Sequence, residues 1–122
     1  MIGYVTFGTN DLARAGKFYD ALLAELGAKR AMEMDRFIAW ATAPNTPMVS
    51  VIQPYDGKAA SVGNGVMVAL AANSKAQVDA LHKKALALGG KDEGAPGPRG
   101  PGFYAGYFRD LDGNKLNAFF MG

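Results

Sequence analysis

Cysteine is absent from this 122-residue sequence, and histidine occurs only once, as His82. The lack of cysteine excludes a disulfide framework, a thiol nucleophile and a zinc–thiolate site. No apolar run is long enough to span a bilayer, so no membrane partner is expected. The charged residues nearly balance, at a net +2, and are scattered, so nucleic-acid binding is not expected either. The opening residues, MIGYVTFGT, do not resemble a signal peptide, which makes the cytoplasm the expected location.

The sequence does contain an internal repeat of strand, turn, helix and terminal glycine. The first copy runs from Gly3 to Gly27 and the second from Gly65 to Gly90. Asn10 and Asn73, which precede the two predicted helices, stand 63 positions apart, about half the chain. This spacing predicts one structural unit used twice in a single domain, with modules at about 1–58 and 63–122.

In the first module, alternation over Ile2–Gly8 predicts a strand with Tyr4 and Thr6 on one face. Asn10 or Asp11 is expected to cap the helix, because a short acceptor side chain binds free amides at a helix start. One apolar stripe along the helix predicts its buried face: Ala15, Phe18, Tyr19, Leu22 and Leu26. Three further strands are predicted, over 29–34, 37–43 and 48–53.

In the second module, a strand is expected from Gly65, with Val66, Val68 and Leu70 facing the helix layer. Ser74 and Gln77 form a capping box, and the buried helix stripe is predicted as Val78, Leu81, Ala85 and Leu88. The Gly- and Pro-rich segment Lys91–Gly102 is predicted to be a loop. Two strands, Phe103–Arg109 and Asn114–Met121, should flank a tight turn at Asp110–Gly113.

Each half should therefore be a β-α-β-β-β unit. The expected fold class is α+β, with a curved mixed sheet around an open cleft and the helices outside. Such a cleft is a natural binding place for a small molecule.

In order and spacing, these pieces resemble the vicinal oxygen chelate superfamily, which includes glyoxalase I, bleomycin-resistance proteins, fosfomycin-resistance enzymes and extradiol dioxygenases. The resemblance rests on YVTFGTNDL at 4–12, on Phe18-Tyr19, on VMVAL at 66–70, on Gly89-Gly90 and on DLDGNKLN at 110–117. It implies the two-module fold, a ligand cleft and frequent pairing into homodimers. The modules then pair either within one chain or between two.

The resemblance also implies where a metal would bind. The family norm is a divalent ion held by His, Gln or Glu at four inward positions. Carried over to this sequence, those positions are Tyr4, Ser50, Met67 and Asn117. A phenol, a thioether and two neutral polar groups are poor ligands for a hard ion. The sequence therefore predicts neither a metal nor another cofactor.

The candidate ligand-binding residues each have an alternative role. Tyr4 either lines the cleft or acts as an acid toward a ligand carbonyl, and it is the one catalytic candidate. Asn117 either contacts the ligand or makes an internal hydrogen bond. Arg99 either reaches an anionic ligand group or is a solvated loop charge. Three aromatic residues are either pocket walls or core: Trp40, Tyr107 and Phe119. The predicted ligand set is completed by Thr6, Ser50 and Met67, whereas His82 is expected on the solvent-facing surface of its helix.

Three functions follow from this interpretation. The first is a protein that binds a small organic ligand without a metal. The second is a glyoxalase I-like lyase or a dioxygenase-type enzyme with an unusual or absent metal site. The third is a structural role through pairing with a partner. Whether the chain is an enzyme stays open in the sequence, and the first function is preferred because the usual metal ligands are missing.

Overall fold

The computed structural model describes all of residues 1–122 and contains two compact units, 1–62 and 63–122. The first unit contains β1 (Tyr4–Gly8), α1 (Leu12–Ala24), β2 (Lys29–Met34), β3 (Phe37–Ala41) and β4 (Met48–Ile52). The second contains β5 (Val68–Ala71), α2 (Lys75–Ala87), β6 (Lys91–Pro98), β7 (Phe103–Arg109) and β8 (Lys115–Met121). The predicted β-α-β-β-β order is confirmed in both halves, and the fold class is α+β. Neither helix is both long and apolar enough to cross a membrane.

The two sheets have the same topology. The strand order is β1-β4-β3-β2 in the first unit and β5-β8-β7-β6 in the second. The first strand of each unit lies parallel to the last, and the other neighbours are antiparallel. Each unit therefore forms a mixed four-stranded sheet.

The core of the first unit lies between α1 and one face of its sheet. Asp11 caps the helix by accepting a hydrogen bond from the Arg14 amide at 3.0 Å. The Tyr19 ring stacks on Phe7 at 5.9 Å between centroids and contacts Trp40 at 5.6 Å. Leu22 and Leu23 are also buried. Residues of β1 whose side chains alternate with Phe7 therefore project from the opposite face of the sheet.

Trp40 belongs to this core, and its one polar group is satisfied there. The indole Nε1–H donates to Asp20 at 2.8 Å. Asp20 also accepts two hydrogen bonds from Arg30, at 2.8 and 2.9 Å. The Arg30 hydrogen bonds, with a smaller contribution from the indole, lower the pKa of the Asp20 carboxyl below its ordinary value. The packing alternative for Trp40 therefore describes its place in the structure.

The second unit buries α2 against its sheet in the same manner. Val78, Leu81 and Ala85 are fully buried, as predicted, together with Phe108 and Leu116 of the strands. The Ser74 hydroxyl accepts from the Gln77 amide at 3.1 Å, and the Gln77 side chain accepts from the Asn73 amide at 2.8 Å. This reciprocal pair resembles the predicted capping box, shifted by one residue.

The prediction that His82 is a surface residue is wrong. The residue is only 5% exposed, and its ring lies edge-on to Phe108, with centroids 6.3 Å apart. Nε2 lies 3.1 Å from Asp92 Oδ1 and 3.2 Å from the Tyr107 carbonyl oxygen. The His82 side chain is long enough to reach from α2 to β6 and β7. It is therefore buried although its helix position lies beside the apolar stripe.

The prediction of a loop over Lys91–Gly102 is also wrong, because most of this segment forms the strand β6. This edge strand pairs only with β7, and its register shifts twice, around Gly94. Asp92 accepts a hydrogen bond from the Gly94 amide at 2.9 Å, and this bond is the main cause of the lowered pKa of Asp92. Pro96 is tolerated because an edge strand leaves part of its backbone unpaired.

The start of the second module's first strand is a smaller correction. The strand was expected from Gly65, with Val66 toward the helix, but β5 begins at Val68. Val66 is exposed and lies before the strand. Met67 precedes β5 as well, so neither residue has a place in the sheet register.

Candidate functional site

The sheet face opposite α1, called here the open face of the first module, carries an apolar cavity of about 370 Å³. Its lining comes from all four strands of the module: Tyr4, Thr6, Met32, Met34, Phe37, Met48 and Ile52. Tyr4 and Thr6 are residues that the sequence predicted for a ligand site. The cavity lies wholly within the first unit.

The strand register explains why these side chains converge. Met48 pairs with Tyr4, while Phe37 pairs with both Ile52 and Met34. Tyr4 meets Phe37 edge to face, with centroids 6.0 Å apart and planes at 80°. Large apolar side chains at paired positions of neighbouring strands form one continuous surface.

The methionines of the cavity were missed by the sequence prediction. Methionine has a flexible, polarisable thioether chain that adapts to ligands of irregular shape. Met32 and Met34 are both exposed on β2 and alternate with charged or small residues. That alternation was a usable signal, because a surface strand with apolar residues on one face indicates something that this face contacts.

Ser50 has a different place from the one expected of a ligand contact. It pairs with Thr6 and Ala39 in the sheet register, but it is fully buried. Its hydroxyl donates to the Val5 carbonyl oxygen at 2.7 Å. The hydroxyl therefore has a backbone partner in the structure.

A second, polar cavity of the first unit measures about 320 Å³ and lies beside the chain that follows β4. Arg36 and Lys58 are its cationic lining residues. The Arg36 guanidinium donates to the Gln53 carbonyl at 3.1 Å and also to that of Pro54. These bonds tie the β2–β3 turn to the segment after β4, which is a structural role.

In the second unit, four predicted residues come together on the sheet face opposite α2. This surface, called here the open face of the second module, contains Arg99, Tyr107, Asn117 and Phe119. Tyr107 pairs directly with Asn117 across β7 and β8. The Arg99 guanidinium lies 5.5 Å from the centroid of the Tyr107 ring, and the Lys115 ammonium lies 5.6 Å from it. Lys115 was missed by the sequence prediction.

Asn117 carries an unusual polar atom. The residue is 2% exposed, and its side-chain oxygen Oδ1 is buried without a hydrogen-bond partner. A buried acceptor left unpaired costs about 1–3 kcal/mol. The alternative of a fully satisfied internal hydrogen bond therefore does not describe this oxygen.

The residues at the four expected metal positions do not fit a divalent metal. The donors are a phenol at Tyr4, a buried hydroxyl bonded to backbone at Ser50, a thioether at Met67 and an amide at Asn117. No three His, Cys, Asp or Glu side chains are grouped so that they could hold a metal ion anywhere in residues 1–122. The two aspartates of the 110–113 turn are not such a group, because Asp110 accepts from the amides of Asp112 and Asn114 at 2.9 Å.

Comparison with known proteins gives a family match over nearly the whole chain. Residues 1–118 match the model of the Glyoxalase/Bleomycin resistance protein/Dioxygenase superfamily. No curated protein matches the sequence.

Solved structures with the same fold are numerous. A glyoxalase/bleomycin resistance protein from Albidiferax ferrireducens T118 shares 38% identity with a TM-score of 0.90, over 98% of this chain and 97% of that one. A putative glyoxalase from Bacillus halodurans shares 22% identity with a TM-score of 0.79, over 98% and 94%. A lactoylglutathione lyase from Agrobacterium tumefaciens shares 20% identity with a TM-score of 0.71, over 98% and 92%. The last two, being below 25% identity, show similarity of fold alone.

Proposed function

The chain belongs to the glyoxalase/bleomycin resistance/dioxygenase superfamily, and from this premise we propose that it binds a small, largely apolar organic ligand without the divalent metal of the family. The observation that carries the proposal is the methionine-rich cavity on the open face of the first module. Its volume, about 370 Å³, is in the range of small-molecule sites.

The cavity lining suits an uncharged or weakly polar ligand. No side chain that lines this cavity carries a charge, and the two polar groups are the Tyr4 phenol and the Thr6 hydroxyl. Burial of apolar ligand area against such a surface lowers the free energy of the complex. The two hydroxyls can orient one polar group of the ligand.

Met34→Gln is expected to weaken binding of an uncharged naphthalene-type dye, N-phenylnaphthylamine, about tenfold. The change replaces a thioether at the cavity wall with an amide that must be desolvated when the dye binds. Dye fluorescence in a titration of the full chain measures the effect. The matched control is Met121→Gln, since Met121 is also an exposed strand methionine (67%, against 57% for Met34) but does not line the cavity. Equal weakening by both variants, or no dye binding by the wild type, contradicts the proposal.

The metal-free part of the proposal has its own measurement. The chain is purified without a chelator or an affinity tag, after growth with added zinc, nickel, manganese and iron. We expect negligible metal per chain, because the donor set at the four family positions suits none of these ions. A content near one ion per chain contradicts this expectation and favours the enzyme alternative.

That alternative, a lyase or dioxygenase-type enzyme, has one observation in its favour. Tyr4 is 57% exposed, and its ring meets Phe37 edge to face at the cavity. An exposed phenol is available to donate a proton or hydrogen bond to a carbonyl group. Loss of turnover in Tyr4→Phe with unchanged dye affinity separates this alternative from simple binding.

A further inference from the structure

We propose that the open face of the second module binds a small anion that also carries a hydrogen-bond donor, such as a hydroxy-substituted aromatic carboxylate. Arg99 and Lys115 would contact the anionic group, and Asn117 Oδ1 would accept from the donor. The inference goes beyond the proposed function, because it concerns a second ligand of a different chemical class. It concerns residues of the other module, so each can fail without the other.

The first support is the charge on this face. Arg99 and Lys115 each approach the Tyr107 ring within 6 Å, and no carboxylate forms an ion pair with either. A neighbouring cation, Arg109, is already paired with Glu93 at 2.7 Å. Glu93 also interacts electrostatically with Lys115, but its direct ion pair is with Arg109. The two cations beside the Tyr107 ring therefore favour an anionic ligand.

The second support is the fixed position of Arg99. Its guanidinium donates to the carbonyl oxygens of Ala95 at 2.7 Å and Pro98 at 3.3 Å. A Cβ atom on Gly94 or Gly97 would lie only 3.3 or 3.2 Å from that guanidinium. The two glycines of β6 therefore leave room for the side chain to lie against the strand. A guanidinium has five N–H donors, so others remain for an anion. A side chain that is already ordered loses less entropy when the ligand binds.

The third support is the unpaired oxygen of Asn117. Tyr107 is its direct neighbour across the strands, so the acceptor lies beside the cationic pair. Because Oδ1 is closed to solvent, a neighbouring side chain must move as the ligand donor reaches it. Phe119 stacks on Phe103 nearby on the same face, with centroids 5.6 Å apart. These rings offer a surface for the apolar part of the ligand.

Three probes of similar size test the ligand class on the full chain. The probes are para-hydroxybenzoate, benzoate, which lacks the donor, and para-hydroxybenzamide, which lacks the charge. Titrations followed in backbone amide NMR spectra give the affinities and the residues affected. We expect para-hydroxybenzoate to bind most tightly and each of the others about tenfold more weakly, with shifts centred on Tyr107 and Asn117.

Variants then assign the contacts. Arg99→Gln and Lys115→Gln should each weaken binding of para-hydroxybenzoate about tenfold. The matched control is Lys75→Gln, which removes the same charge from a lysine that lies 5.7 Å from the Tyr104 ring centroid instead. Asn117→Leu should abolish the preference for para-hydroxybenzoate over benzoate.

Several results would overturn the inference. One is that Lys75→Gln weakens binding of para-hydroxybenzoate as much as Arg99→Gln does, and another is tight binding of the neutral amide. The others are a preference for para-hydroxybenzoate over benzoate that persists in Asn117→Leu, and no binding of either carboxylate at millimolar concentration. The naphthylamine dye distinguishes this failure from failure of the proposed function. Dye binding by the wild type without carboxylate binding overturns this inference alone, whereas absence of dye binding contradicts the proposed function.

Discussion

Gly90→Ala is expected to lower the free energy of unfolding by about 2–4 kcal/mol, because the backbone leaves no space for a methyl group. A Cβ atom at this position would lie 2.8 Å from the carbonyl oxygens of both Ala85 and Arg109. Both contacts are to backbone, which cannot rotate away as a side chain would. Chemical denaturation of the wild type and the variant measures the difference.

Gly3→Ala is the matched control for this prediction. A Cβ atom on Gly3 meets nothing within 4 Å, and the residue does not have a positive φ. Its substitution should change the unfolding free energy by no more than about 0.5 kcal/mol. A Gly90→Ala variant as stable as Gly3→Ala would show that the end of α2 can move away from β7.

The internal repeat predicted much of the fold but did not predict this close approach. The offset of 63 relates the helix starts, but past the helix ends the matching residues are 62 apart. Gly27 and Gly89 both have positive φ, of 77° and 97°. The following amides, of Ala28 and Gly90, donate to the carbonyls of Leu23 and Ala85 respectively. The first module therefore has alanine where the second has glycine, a difference that helix-stop patterns cannot explain.

Elements with strong local signals were predicted well. Helices and regular strands follow from periodicity, which depends only on which residues must be buried. β6 was missed because its glycines and prolines oppose strand formation locally, while pairing with β7 supplies the stabilising hydrogen bonds. His82 was misplaced because burial depends on the reach of the side chain toward Asp92, a residue on another element.

The candidate site was predicted in part for a similar reason. Tyr4, Thr6, Tyr107 and Asn117 follow from the family resemblance and from strand alternation, which identify residues on one face. Arg99 was predicted only as a charged residue of a loop, one that either reaches a ligand or is solvated. Met34 and the other cavity methionines were not predicted, because the alternation of Met32 and Met34 shows that one strand face is apolar but not that this face lines a cavity. The unpaired oxygen of Asn117 is a property of three-dimensional packing, and no sequence pattern predicts it.

Trp40→Ala is expected to cost about 3–5 kcal/mol of unfolding free energy, because a large buried side chain leaves a cavity behind. The indole is 2% exposed and contacts the Tyr19 ring. Its loss also removes one of the three hydrogen bonds to Asp20, whose remaining partner is Arg30. Denaturation followed by circular dichroism measures the loss, since the variant has no tryptophan to report by fluorescence.

Tyr4→Ala and Trp40→Phe together separate core packing from ligand contact. Tyr4 is largely exposed, so Tyr4→Ala should cost less than about 1 kcal/mol yet weaken binding of the naphthylamine dye. Trp40→Phe retains a ring beside Tyr19 and loses the indole N–H, so it should reduce stability without changing dye affinity. If Trp40→Phe instead weakens dye binding more than Tyr4→Ala does, Trp40 contacts the ligand. The cavity of the first module would then extend through the sheet toward α1 when a ligand binds.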